Sequence, residues 1–96
     1  MTTHFTLSPD HRLVLVAIDR RKLSYGRGVF RSNIAEHLRL AEPGRRNLEN
    51  AVTGALVDLV TWNHIDRYET AAGRWMYRLT LLGLEAVCNP QADIAV

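Results

Sequence analysis

The sequence predicts a mainly α-helical α+β fold, in which three core helices are followed by a small β-hairpin and a short C-terminal helix. Two observations carry this. Leu48, Val52, Ala55, Leu56 and Leu59 share one side of a helix at about 100° per residue, so the stretch before Trp62 is a helix with one buried face. Directly after it, Ile65, Arg67 and Glu69 alternate with Asp66 and Tyr68, and Trp75, Tyr77 and Leu79 alternate with Arg74, Met76 and Arg78. That period of two marks a pair of strands joined at a Thr70–Gly73 tip.

The elements follow in chain order. Ser8, Pro9 and Asp10 supply an N-cap, a proline at the first helical position and an acid in the first turn, which predicts a first helix from about Pro9 to Lys22. Leu13 to Ile18 is apolar on every side, as in a helix buried on two faces, one against the core and the other available to a partner. Its β-branched Val14, Val16 and Ile18 also fit a buried strand; the cap signals and flanking charges favour the helix. Tyr25, Gly26, Arg27 and Gly28 form a turn, and Val29 and Phe30 a short strand. Ser32 then caps a second helix, Asn33 to Leu40, with Ile34 and Leu38 at helical spacing. Pro43 and Gly44 break it, and a third helix opens near Arg45 to Asn47 and runs to Trp62 or Asn63. Thr80 heads the last apolar segment, in which Cys88 reads as a small core hydrophobe.

Composition sets the outer bounds. Ninety-six residues suit a single domain over 1–96, with a core at about 9–88 and short tails. The opening MTTHFTLSPD has neither a basic region nor a long apolar region, and the longest apolar run, Leu13 to Ile18, is far short of the roughly twenty residues of a membrane span. The expectation is therefore a cytoplasmic protein with no membrane partner. A lone cysteine allows no internal disulfide and no cysteine-based metal cage. His4, His11, His37 and His64 are scattered, and no metal-site, nucleophile-elbow or phosphate-loop spacing occurs. These features point away from an enzyme and from any cofactor or metal, and each histidine reads as a surface or packing residue.

Charge is unevenly placed. Arg20, Arg21, Lys22, Arg27, Arg31, Arg39, Arg45 and Arg46 face only Glu36 and Glu42 within their stretch, while the remainder of the chain is net acidic. Such a block fits a polyanion, because neutralising phosphates releases condensed counterions. It also fits a solvated surface whose Arg20, Arg21 and Lys22 favour a helix C-terminus. Trp62, Tyr68, Trp75 and Tyr77 would suit stacking on single strands, although packing is the commoner use of large aromatics in a small domain.

The succession of third helix, hairpin and Thr80–Val87 segment resembles the winged helix-turn-helix superfamily, and the segment after the hairpin is similar to that of bacterial MarR and PadR regulators. Those families often carry proline after the threonine, where this chain has Leu81. The resemblance implies a winged helix-turn-helix fold that binds double-stranded DNA as a small transcriptional regulator, a repressor by analogy. On that reading Arg46, Asn47, Asn50 and Thr53 read bases, with Gly54 and Val57 beside them, while Arg31, Ser32, Asn33, Arg45, Arg67 and Arg74 hold phosphates. Arg78 would also project from the wing. A homodimer would form through the first and last helices. Three features fit a different role, a winged helix of a phage-like or accessory protein that docks on a host complex: the acidic Glu49 and Asp58 that flank the third helix, a net charge of only +2, and a first helix apolar on two sides.

Overall fold

A computed structural model describes residues 7–21 and 28–88. Its elements run α1 (Pro9–Arg21), β1 (Val29–Phe30), α2 (Arg31–Ala41), α3 (Leu48–Thr61), β2 (Ile65–Glu69), β3 (Trp75–Leu79) and α4 (Leu81–Cys88). The architecture is α+β, with four helices and one small antiparallel sheet. Lys22, Tyr25, Gly26 and Arg27, expected at the end of the first helix and in the turn after it, lie outside the described residues.

Leu13 to Ile18 is helical, so the strand reading of that run falls. Its hydrophobicity on several sides has a local explanation. The helix packs against α2, α3, α4 and β3. Val14, Leu15, Ala17 and Ile18 are buried, and Leu13 lies partly buried against the same core. The face expected to await a partner is thus largely covered by the domain itself. Ser8 caps α1 as expected, its Oγ accepting the His11 N–H at 3.3 Å.

Two helix starts differ from expectation. α2 begins at Arg31, directly after β1, and Ser32 is not its cap. Because the strand runs through Phe30, the residue three positions into the helix is Asn33, whose Oδ1 accepts the Phe30 N–H at 3.0 Å. α3 begins at Leu48, and Asn47 precedes it in the left-handed region at φ 57°. Asparagine tolerates this conformation better than most residues.

The sheet order is β1-β3-β2. β2 and β3, the two strands the alternation predicts, pair from Ile65 with Leu79 to Glu69 with Trp75. The two-residue β1 joins β3 on the other side, Val29 opposite Tyr77 and Phe30 opposite Met76. Sequence reasoning foresaw the hairpin but not this third strand's partner. The core collects Val14, Leu15 and Ile18 from α1, Ile34 and Leu38 from α2, Val52, Leu56 and Leu59 from α3, and Ile65 and Tyr77 from the sheet. Burying this much aliphatic surface is the main stabilising term.

α4 closes the fold. Thr80 caps it as expected, its Oγ1 accepting the Gly83 N–H at 3.2 Å while donating to the Asn63 carbonyl at 2.7 Å. The Thr80 N–H also donates to the His64 carbonyl at 3.1 Å. This tight seating requires Gly83, because a Cβ there would sit 2.0 Å from the His64 carbonyl oxygen. Cys88 is exposed at the end of α4, not the core residue expected from its apolar neighbours. No helix among the described residues is long and apolar enough to cross a membrane.

Candidate nucleic-acid interface

α3 sorts its residues as its periodicity predicts. Leu48, Val52, Ala55, Leu56 and Leu59 are buried, and Asn50, Thr53, Gly54 and Val57 are exposed along the opposite face, with Arg46 and Asn47 exposed in the turn before it. Nothing lies within 4 Å of where a Gly54 Cβ would stand. The four expected base readers are therefore all accessible and occupy one end and one side of the helix.

The six expected phosphate holders are in more varied positions. Arg31, at the first position of α2, reaches across to α3. It donates to Glu49 Oε2 at 2.7 Å, to the Glu49 carbonyl at 3.0 Å and to Thr53 Oγ1 at 2.5 Å. Arg39 also donates to the Glu49 carboxylate. The hydrogen bond from Arg31, with the charges of both arginines, holds the Glu49 carboxyl below its usual range. The acid that seemed to spoil the helix face is thus neutralised in place, and Arg31, Arg39 and Glu49 together carry one net positive charge.

Arg45 is committed elsewhere. It forks onto Asp10 of α1 at 2.5 and 2.8 Å and onto Glu42 at 2.7 Å, which lowers the Asp10 pKa and raises its own. Its first role in the free chain is to tie the α2–α3 turn to α1. Asn33 spends its carbonyl oxygen on the Phe30 cap, whereas Ser32 is exposed. On the hairpin, the Arg67 guanidinium lies 4.8 Å from the centre of the Trp75 ring, and Arg74 lies 3.7 Å from that of Phe30. Arg78 sits over Tyr68 at 5.2 Å and within 3.9 Å of Asp66. Arg46 and Arg67 form no ion pair with any described carboxylate.

The aromatics do not form one stacking platform. Trp62 packs on the core, Tyr77 is buried, Tyr68 donates its hydroxyl to Met76 Sδ at 3.5 Å, and of the four only Trp75 is exposed, by a little under half of its surface. Between α3 and the hairpin lies an open cleft of about 330 Å³, lined by the buried Leu56 and Tyr77 and the partly buried Val60, with Arg31, Thr53, Val57, Thr61 and Arg67 completing its wall.

One polar cluster was missed. His11 is buried, with its Nδ1 accepting the Ser8 N–H at 2.9 Å and its Nε2 lying 3.0 Å from Asp58 Oδ2. An accepting Nδ1 leaves the proton on Nε2, facing the carboxylate. Ser8 Oγ is 2.9 Å from Nδ1, so serine, histidine and aspartate form a relay-like line. The serine is the cap of α1, however, and the three groups line no part of the cleft. Their arrangement fits a structural lock between α1 and α3, with Trp62 edge-on to the imidazole at 4.9 Å. Among the described residues, no group of three or more His, Cys, Asp or Glu is placed to hold a metal ion.

No protein-family model matches the chain, and no curated protein matches it by sequence.

Proposed function

We propose that this chain is a winged helix-turn-helix domain that binds double-stranded DNA as a small transcriptional regulator, inserting the outer face of α3 into the major groove with the β2–β3 hairpin as its wing. The element order and the sheet order β1-β3-β2 support the fold reading. The observation that carries the function is the neutralised helix face. Arg46, Asn50, Thr53 and Val57 are exposed side by side, and Glu49 among them is held by Arg31 and Arg39. In this reading Arg46, Asn47, Asn50 and Thr53 meet base edges. Arg31, Ser32 and Arg67 meet the backbone, with Arg74 at the wing and Arg45 and Asn33 holding the turn and helix start that present them.

The test is fluorescence anisotropy against a random duplex pool and a pool selected by the protein, at several salt concentrations. Log affinity should fall linearly with log salt, at about 0.9 per phosphate neutralised, and the selected pool should carry a defined sequence. Asn50→Ala and Thr53→Ala should relax that sequence preference. Absence of duplex binding at low salt would overturn the reading.

A second reading, docking on a protein, draws on one specific observation: Arg31, Arg39 and Arg45 are already paired with acids of the same chain, which reduces the charge free for phosphate. An apolar protein interface would respond weakly to salt. A homodimer in either case would form chiefly through α4, where Leu81, Leu82 and Leu84 are exposed, with α1 contributing less because its apolar side chains are mostly covered. A dimeric DNA binder would select half-sites about one helical turn apart.

A further inference from the structure

We infer that the outer edge of β2 is a self-recognition surface: it pairs antiparallel with the same edge of a second copy of this chain, centred on Tyr68, and joins the two sheets into one. The inference stands on the sheet and is independent of the DNA reading.

The hydrogen-bonding parity of the hairpin fixes which groups face outward. β2 is an edge strand, bonded only to β3 among the described residues. At the two ends of their ladder the Thr80 N–H donates to the His64 carbonyl and the Thr70 N–H to the Arg74 carbonyl. Both bonds join directly opposed residues in the hairpin register, and bonded and non-bonded pairs alternate along an antiparallel ladder. Asp66 and Tyr68 therefore bond to β3, while the N–H and C=O groups of Ile65, Arg67 and Glu69 point away from it. Proteins protect such an edge with proline, a bulge or charge, and here neither proline nor a bulge interrupts Ile65–Glu69. Charge is the remaining guard.

That charge is self-complementary in one register. A second copy must set outward-facing residues against outward-facing residues. Two-fold registers centred on Asp66, Arg67 or Glu69 put that residue against its own like charge. Centring on Tyr68 instead puts Arg67 opposite the partner's Glu69 and Glu69 opposite the partner's Arg67, with about four backbone hydrogen bonds between them. Asp66 then lies opposite the partner's Thr70, and the two Tyr68 rings meet at the close approach of a non-bonded pair, where aromatic pairs are favourable. Neither Arg67 nor Glu69 has an ion pair with a described residue to give up; Arg67 rests on Trp75. The outer half of the hairpin is two-stranded, a form marginal in water alone, and the pairing widens it into a larger sheet. The contact is small, so the association is weak. It is also separate from the exposed leucines of α4.

Sedimentation equilibrium of the full chain from about 10 µM to about 1 mM, with 15N amide spectra over the same range, tests this. The dimer fraction should rise with concentration, and the Arg67 and Glu69 amide signals should move with it. Arg67→Glu and Glu69→Arg each replace complementary pairs with like-charged ones and should weaken association at least about tenfold. Combining the two substitutions restores opposite charges and should recover association, which damage to the fold would not. Leu81→Lys, on α4, should leave the amide shifts in place. A chain still monomeric at the highest concentration, or single variants that associate like the parent, would overturn the inference. So would a double variant as weak as the single ones, Arg67 and Glu69 amides that stay still while the chain dimerises, or loss of their shifts in Leu81→Lys.

Discussion

The glycine in α4 offers a sharp test of how the last helix is seated. Replacing Gly83 with alanine puts a methyl group 2.0 Å from the His64 carbonyl oxygen, 3.0 Å from its carbon and 3.3 Å from Leu79 Cδ2. Ordinary contact begins near 3.4 Å, so α4 must retreat by more than 1 Å, roughly. The obstacle is backbone, and the same carbonyl accepts the Thr80 N–H at 3.1 Å, so retreat also stretches that bond. Overpacking against an unyielding wall costs about 1–3 kcal/mol, and the better helix propensity of alanine returns up to about 1 kcal/mol. The net expectation is a loss of about 1–2 kcal/mol, or a fall in Tm of roughly 4 °C or more for a domain of this size. Gly54→Ala is the matched control. It sits in α3 with nothing within 4 Å of the new Cβ, so the same chemical change should stabilise by about 0.5–1 kcal/mol. Urea unfolding followed by circular dichroism, with midpoints compared at constant slope, measures both. A Gly83→Ala midpoint equal to or above that of the parent chain would refute the proposed seating of α4.

Other expectations follow from single contacts. Asn33→Ala removes the acceptor for the Phe30 N–H and should cost about 1 kcal/mol by urea midpoint, whereas Ser32→Ala should change little. Stability should decline on acidification in two stages. Burial, with the Arg21 and Arg20 charges, lowers the His37 pKa, so the unfolded chain binds that proton first and stability falls as pH drops below about 6.5. Asp10 and Glu49, lowered chiefly by hydrogen bonds from Arg45 and Arg31, contribute stability above the ordinary carboxyl range that is lost as pH falls through their lowered values. Urea midpoints across pH should therefore show an upper step that His37→Gln removes and a lower one that it leaves. Glu49→Gln should free Arg31 and Arg39 for phosphate and steepen the logarithmic salt dependence of duplex binding by up to about 0.9 per added contact; an unchanged slope would mean those arginines never reach DNA.

What could be read from the chain divides along a physical line. The α3 faces and the two hairpin strands were legible because they depend on periods of 3.6 and 2 within one segment, as Val52 and Leu59 inside and Thr53 and Val57 outside illustrate. The start of α2 was not, because Ser32 and Asn33 are both able caps and the choice turns on β1 extending through Phe30 to pair with Met76. Pairings between distant segments were invisible for the same reason. Nothing local in Glu49 announces that it joins Arg31 and Arg39, or in His11 that it meets Asp58, 47 residues away. Cys88 was misjudged because apolar neighbours in sequence were taken for neighbours in space.

The brevity of β1 divides the hairpin into two halves with different lifetimes. Near α3 the hairpin is the middle and edge of a three-stranded sheet, with Met76 and Tyr77 bonded on both sides. Beyond them, Glu69 and Trp75 have no third strand beside them among the described residues, and the tip closes through the Thr70 N–H to the Arg74 carbonyl at 2.7 Å and the Gly73 N–H to the Thr70 carbonyl at 2.9 Å. A two-stranded ribbon is marginal in water by itself. The outer half can therefore fray and re-form in the native state while the inner half opens only with the whole domain, giving a step in amide-exchange protection between Tyr77 and Trp75. The boundary makes the hairpin a rigid root bearing a pliable end, able to follow the contour of whatever it meets without cost to the core.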